Sequence, residues 1–143
     1  MIKAMIKLWW GITWRFYLVS LVIGAPVTIL YGLIEPTAFT IKVKPTFFYL
    51  LIALLMTLIG NLDRLNNFIW QSIVDIKFAK LITFSLAIVA LISSLLNLLV
   101  AFNSTVDEYV EAKITIGIFS FLICPFVVAF FVKFKESELT NIN

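Results

Sequence analysis

Residues Leu81–Phe102 read LITFSLAIVALISSLLNLLVAF and contain no Asp, Glu, Lys or Arg. A helix needs about 20 mostly apolar residues to cross the hydrocarbon core of a bilayer, and this run is long enough. Its small and polar residues are not scattered. Thr83, Ala87, Ala90, Ser94, Asn97 and Ala101 follow one another at spacings of 4, 3, 4, 3 and 4, the period of a left-handed helix pair. Lipid does not drive helices together by hydrophobicity, so small residues that allow close backbone approach and polar ones that bond across mark a face turned to protein. Asn97 left unpaired in hydrocarbon would cost several kcal/mol, whereas each interhelical bond it made would return only about 0.6–2 kcal/mol. Such a seam is met either inside a four-helix bundle or by copies of itself around an axis, a device that fixes register and oligomer state. The expectation is a homo-oligomer, with a trimer as the preferred order.

Further spans lie on either side of this run. Residues 16–34 and 114–132 are charge-free and long enough to cross. The stretch between Pro45 and Asn61 is short, but Lys42 and Lys44 alternate with Ile41 and Val43, and their long stems extend the apolar reach. Pro45 suits a first helical turn, giving a span over 43–60. The fold class expected is an all-α integral membrane protein, a single domain of four transmembrane helices in a compact bundle. Lys3 and Lys7 resemble the n-region of a signal peptide, but the apolar run continues to Ile34 without a small-x-small cleavage pattern, so an uncleaved anchor is expected. Glu35-Pro36 closes the first span, since the residue before proline is biased away from the helical region.

Composition agrees with this reading. The 143 residues are 62% apolar and 13% charged, with mean hydropathy +1.08; a soluble domain is nearer 45–50% apolar and about 25% charged. That excess is too great for one water-surrounded core, which argues against a soluble enzyme, a disordered chain or a nucleic-acid module. Histidine is absent and Cys124 stands alone, removing the commonest general base and any intrachain disulfide.

Lysine and arginine placement in short loops orients the chain. Four spans put both termini and the segment 61–80 on one side, with eight cations against four acids; the other side holds Lys42, Lys44 and Lys113 against Glu35, Asp107, Glu108 and Glu111. The balances are +4 and −1, so both termini are expected in the cytoplasm. An Ile-, Phe-, Asn- and Lys-rich composition points to a bacterial inner membrane.

Residues 1–15 are expected to form an interfacial helix. Ile2, Met5, Ile6, Trp9, Ile12 and Phe16 share one face, while Lys3, Lys7, Trp10 and Trp14 recur along another. Cations beside indole rings suit the headgroup layer, which makes Lys3, Lys7, Trp10, Trp14 and Arg15 candidate contacts to lipid headgroups, including anionic ones. In 61–80, Leu62, Leu65, Ile69, Ile73 and Ile76 fall on one arc, opposite Asp63, Arg64, Asn67, Gln71 and Asp75. This predicts an amphipathic helix along the inner surface, or a cytoplasmic extension of the second span packed against its neighbours, with a solvated face or a docking surface for a cytoplasmic partner. Residues 133–143 form a cytoplasmic tail. A second close-packing stripe in the first span comprises Ser20, Gly24 and Thr28, and Gly117, Ser120 and Cys124 form a shorter one before Pro125.

Nothing catalytic emerges. The spans hold hydroxyls without a histidine or acid to activate them, and there is no phosphate-binding glycine loop and no spaced metal-ligand set. Asp63 and Asp75 are twelve residues apart, about 18 Å on a straight helix. Asp107, Glu108 and Glu111 lack calcium-loop spacing. No cofactor, metal or nucleic acid is expected. The absence of ionisable groups from the middle of every span argues against ion-coupled transport. The reading is a non-catalytic membrane protein with a structural, lipid-contacting or envelope-integrity role. The alternatives are a channel, flippase or small transporter using the seam through Ser94 and Asn97, and an accessory subunit of a larger complex held through 61–80.

Overall fold

The computed structural model describes residues 2–34 and 36–141, and all regular structure among them is helical. Glu35, expected to close the first span, and the last two residues of the expected tail lie outside the described residues. The order is α1 (Ile2–Gly32), α2 (Ala38–Asn61), α3 (Asp63–Trp70), α4 (Ile76–Asn103), α5 (Val106–Ile118), a π-helical turn (Phe119–Ile123) and α6 (Cys124–Asn141). Four helical segments are long and apolar enough to cross a membrane: α1, α2, α4, and the unbroken run Val106–Glu138 through α5, the π turn and α6. The chain is therefore a multi-pass membrane protein by architecture. Large apolar side chains such as Val22, Ile88, Leu99 and Phe130 are exposed around the bundle, a surface that suits lipid and not water.

Helix ends are set by local chemistry. Thr37 caps α2: its hydroxyl accepts from the Thr40 N–H at 3.2 Å, and the Thr40 hydroxyl accepts from the Thr37 N–H at 2.8 Å. This reciprocal pair satisfies two of the donors a helix start leaves open. It begins the helix seven residues before Pro45, so Pro45 lies inside α2 and not in its first turn, and the span expected over 43–60 gains length at its start. Thr105 and Glu108 repeat the device at α5, where the Thr105 N–H donates to Glu108 Oε2 at 2.8 Å. The stretch expected as an outer loop is consequently helical from Val106.

α1 has no break near residue 15. Ala4, Lys7 and Leu8 share a shallow crevice with Ser72, Ile73 and Lys133, which places Lys7 and Lys133 at one level. Beyond that level Trp9 packs edge-on against Phe126 at 5.9 Å and donates from its indole to the Leu122 carbonyl at 3.1 Å. The half of the expected interfacial helix after Lys7 thus runs beside α6, continuous with the first span.

α4 lies along α2 as the most extensive helix pair, and α1 packs on α6 and α2. Gly60 permits close approach there: a Cβ at Gly60 would come 2.9–3.2 Å from three atoms of the Phe84 ring. Phe16, Ile52, Met56, Ile82, Leu86 and Val132 fill the centre. Pro125 lacks an N–H, and its ring crowds the carbonyl one turn back; the π turn immediately before it widens the helix at that point.

Candidate functional site

The polar residues of α4 are drawn into the bundle. Thr83, Ala87, Ala90, Ser94, Asn97 and Ala101 are all buried within the single chain, with Thr83 and Asn97 fully so. Three polar arrangements account for them.

Nearest the start of α4, Thr83 joins α3. The Trp70 indole donates to the Thr83 hydroxyl at 2.6 Å, and that hydroxyl lies 2.5 Å from Asn66 Oδ1 and 3.1 Å from the Ala79 carbonyl. One hydroxyl proton serves one of these two acceptors at a time, while the oxygen accepts from Trp70. Trp70 and Asn66 are completely buried, and Asn66 Nδ2 has no partner. The face that α3 buries is therefore Asn66 and Trp70. Leu62, Leu65 and Phe68 are exposed, so the aliphatic arc read from the sequence points outward where α3 begins. The bond from Trp70 to Thr83 sets this rotation, because an indole N–H buried without an acceptor is costly.

Toward the other end, Ser93 and Ser120 meet at 2.6 Å between their hydroxyl oxygens. Each also lies within bonding distance of the carbonyl four residues before it, Val89 at 2.8 Å and Ile116 at 2.7 Å. Two protons for three contacts mean that one hydroxyl keeps its backbone carbonyl while the other donates across. Asn97 Nδ2 donates to the Ser93 carbonyl at 2.8 Å, and Asn97 Oδ1 accepts from the Tyr109 hydroxyl at 3.3 Å. Ser94 donates to the Thr46 carbonyl of α2 at 2.9 Å. These bonds tie α2, α4, α5 and the π turn into one layer. Asn97 is completely buried and bonded within its own chain, so it presents no exposed amide at the bundle surface.

The first-span stripe is divided. Ser20 is buried and donates to the Phe16 carbonyl at 2.8 Å. Gly24 faces Phe48, whose ring would stand 3.3 Å from an added Cβ. Thr28 is exposed and borders a groove between α1, α2 and α5.

Of the residues expected to meet lipid headgroups, Lys3, Lys7, Trp10 and Trp14 are exposed, and Trp14 stacks on Tyr17 at 6.1 Å. Arg15 differs. Its Nε donates to the Ile69 carbonyl at 2.8 Å, one terminal nitrogen to the Gly11 carbonyl at 3.1 Å and the other to Ser72 Oγ at 2.6 Å. Helical side chains lean toward the N-terminus, so a guanidinium rooted about 12 Å beyond Lys7 reaches back to clamp the end of α3 and the turn after it. Arginine suits this because its planar fork serves several acceptors at once. Sequence spacing gave no sign of the contact, since Arg15 and Ile69 are 54 positions apart.

Glu108, part of the expected acidic patch, is taken up in capping α5, and no cluster of three or more potential metal ligands occurs among the described residues. The capping pair is a feature that the sequence did display: Thr105-Val106-Asp107-Glu108 fits the Thr-x-x-Glu helix-start pattern. No family model, curated protein or solved structure matches the chain.

Proposed function

We propose that this chain is a non-catalytic, lipid-contacting structural protein of a bacterial inner membrane, with both termini cytoplasmic. The observation that carries the reading is the burial and internal bonding of Thr83, Ser94 and Asn97. A conduction path along α4 would need those side chains turned to water, and each is engaged with its own chain. The outward surface is instead a belt of large aliphatic and aromatic residues, and Lys3, Lys7, Trp10 and Trp14 offer headgroup contacts at one end. Orientation rests on the excess of lysine and arginine on the side of the termini and residues 61–80. Self-association belongs to the proposal, a trimer included, with exposed helix faces and not Asn97 as the surfaces available for it.

The test is purification in native lipid, intact-mass measurement, and solute flux from vesicles containing the protein. A discrete homo-oligomer with retained lipid and no flux above protein-free vesicles supports the proposal. Flux of ions or small dyes would replace it with the channel or transporter reading, and a second polypeptide that stays bound would replace it with the accessory-subunit reading.

A further inference from the structure

α1 packs against α6 and the π turn, and its close contact with the last span lies in that half of the bundle: Phe16 and Tyr17 pair with Phe121 at 5.2 and 6.5 Å. Farther along, α1 and α5 are separated by a groove of about 650 Å³, within the range of pockets that hold small ligands. Gly24 of α1 and Gly117 of α5 form part of its walls, and the rings of Phe48 and Tyr49 form its side on α2. Gly24 lets the Phe48 ring pack close against α1, and Gly117 leaves the far wall open. A Cβ on Gly117 would find only Tyr49 Oη, at 3.9 Å, so nothing in the chain fills the volume on that side.

The groove is chemically polarised. Along α1 it runs from Leu21 to Ile29, about 12 Å of helix. At the Leu21 end it is lined by aliphatic and aromatic groups. At the Ile29 end it is bordered by Lys44, in the second turn of α2, and by Lys113 of α5. Among the described residues no ion pair engages either lysine. Lys44 Nζ stands 5.8 Å from the centre of the Tyr31 ring. Two cations from different helices with no ion-pair partner among the described residues, set over an apolar slot that opens among exposed apolar residues, complement a molecule with an anionic head and a hydrocarbon tail.

We propose that this groove is a binding site for an anionic phospholipid of the leaflet opposite the termini, its phosphate between Lys44 and Lys113 and one acyl chain along Gly24, Thr28, Phe48 and Gly117. The site is separate from the headgroup contacts at Lys3 and Lys7, which lie at the other end of α1. It rests on the reading of the chain as a lipid-contacting membrane protein. The flux assay judges that reading, whereas lipid selectivity at these two lysines judges the site.

The experiment is native mass spectrometry of the full chain, titrated with phosphatidylglycerol and with phosphatidylcholine of identical acyl chains. The wild-type chain is expected to hold one phosphatidylglycerol in preference to phosphatidylcholine. A basic side chain near an anionic surface contributes about fivefold in affinity, so Lys44→Gln with Lys113→Gln is expected to lower phosphatidylglycerol affinity about 30-fold and abolish the preference. Thr28→Phe, a change at an exposed lipid-facing position, is expected to reduce retention of both lipids by filling the slot. Lys3→Gln with Lys7→Gln is expected to leave the preference intact, and helicity by circular dichroism is expected to match wild type in every variant. The proposal is overturned if the Lys44/Lys113 variant keeps the preference, if the Lys3/Lys7 variant loses it, or if the wild-type chain shows none.

Discussion

Removing the Thr83 hydroxyl is expected to destabilise the bundle far more than its size suggests. Thr83→Val keeps the shape of the side chain and replaces the hydroxyl by a methyl. The Trp70 indole, bonded at 2.6 Å, loses its acceptor, and the fully buried Asn66 amide loses its contact at 2.5 Å with the Thr83 hydroxyl. Asn66 Nδ2 is already unpartnered, so the whole amide would be left without a bond. A buried polar group stranded in this way costs about 1–3 kcal/mol, and two of them cost about 2–6 kcal/mol. The added methyl returns up to about 0.8 kcal/mol, leaving a net loss of about 1–5 kcal/mol. Thr83→Ser is the control: it keeps the hydroxyl and deletes the methyl, at about 1 kcal/mol. Both variants are to be unfolded from mild micelles by increasing sodium dodecyl sulfate, followed by far-ultraviolet circular dichroism and tryptophan emission. A double-mutant cycle with Trp70→Phe is expected to give a coupling of about 1 kcal/mol or more, because the two residues share one bond. If Thr83→Val proves no less stable than Thr83→Ser, the hydroxyl does not hold α3 to α4 and the reasoning fails.

Three further outcomes are expected. Arg15→Lys keeps the charge but cannot serve Ile69, Gly11 and Ser72 together, so it should cost about 2 kcal/mol and expose the 71–75 turn to limited proteolysis; an unchanged cleavage pattern would remove the clamp. Asn97→Leu leaves the Tyr109 hydroxyl without its acceptor and should lower stability by about 1–3 kcal/mol while leaving the oligomer masses as they are, whereas a changed oligomer distribution would restore Asn97 to an interface between copies. Pro125→Ala restores an N–H where the π turn ends and should return that turn to α geometry, releasing the bond from Trp9 to Leu122. Its cost of about 1 kcal/mol should then fail to add to that of Trp9→Phe, and full additivity of the two changes would separate the π turn from the Trp9 contact.

The class of protein was legible in one dimension because it depends on quantities that sum along the chain. Hydropathy over about 20 residues does not require knowing neighbours; α2, α4 and Val106–Glu138 contain the spans expected at 43–60, 81–102 and 114–132, while α1 covers the one expected at 16–34 only as far as Gly32. The 3.5-residue period through Thr83 and Asn97 likewise identified the face of α4 that turns to protein, since a helix presents residues three and four apart on one side whatever it meets. Boundaries were less legible where a cap decided them. Thr37 with Thr40 lengthened α2, and Thr105 with Glu108 turned an expected loop into helix.

What the seam meets was decided by tertiary structure alone. Thr46 is 48 positions from Ser94, and Asn66 is 17 from Thr83; no local pattern encodes which helix brings them together. Arg15 reads as an interfacial cation by type and becomes a clamp because α3 folds back across its reach. The groove beside Lys44 and Lys113 has the same origin, for it is a gap left between helices and belongs to no single one of them. By itself, the sequence determined that four segments are apolar and long enough to cross a bilayer and which face of α4 seeks protein, because apolar length and helical period are properties of a segment. The bonding of that face within one chain, the inward turn of Arg15 and Trp70, and the polarised groove were settled only when the segments packed, because each depends on where polar groups distant in sequence can reach one another in a medium that offers them no water.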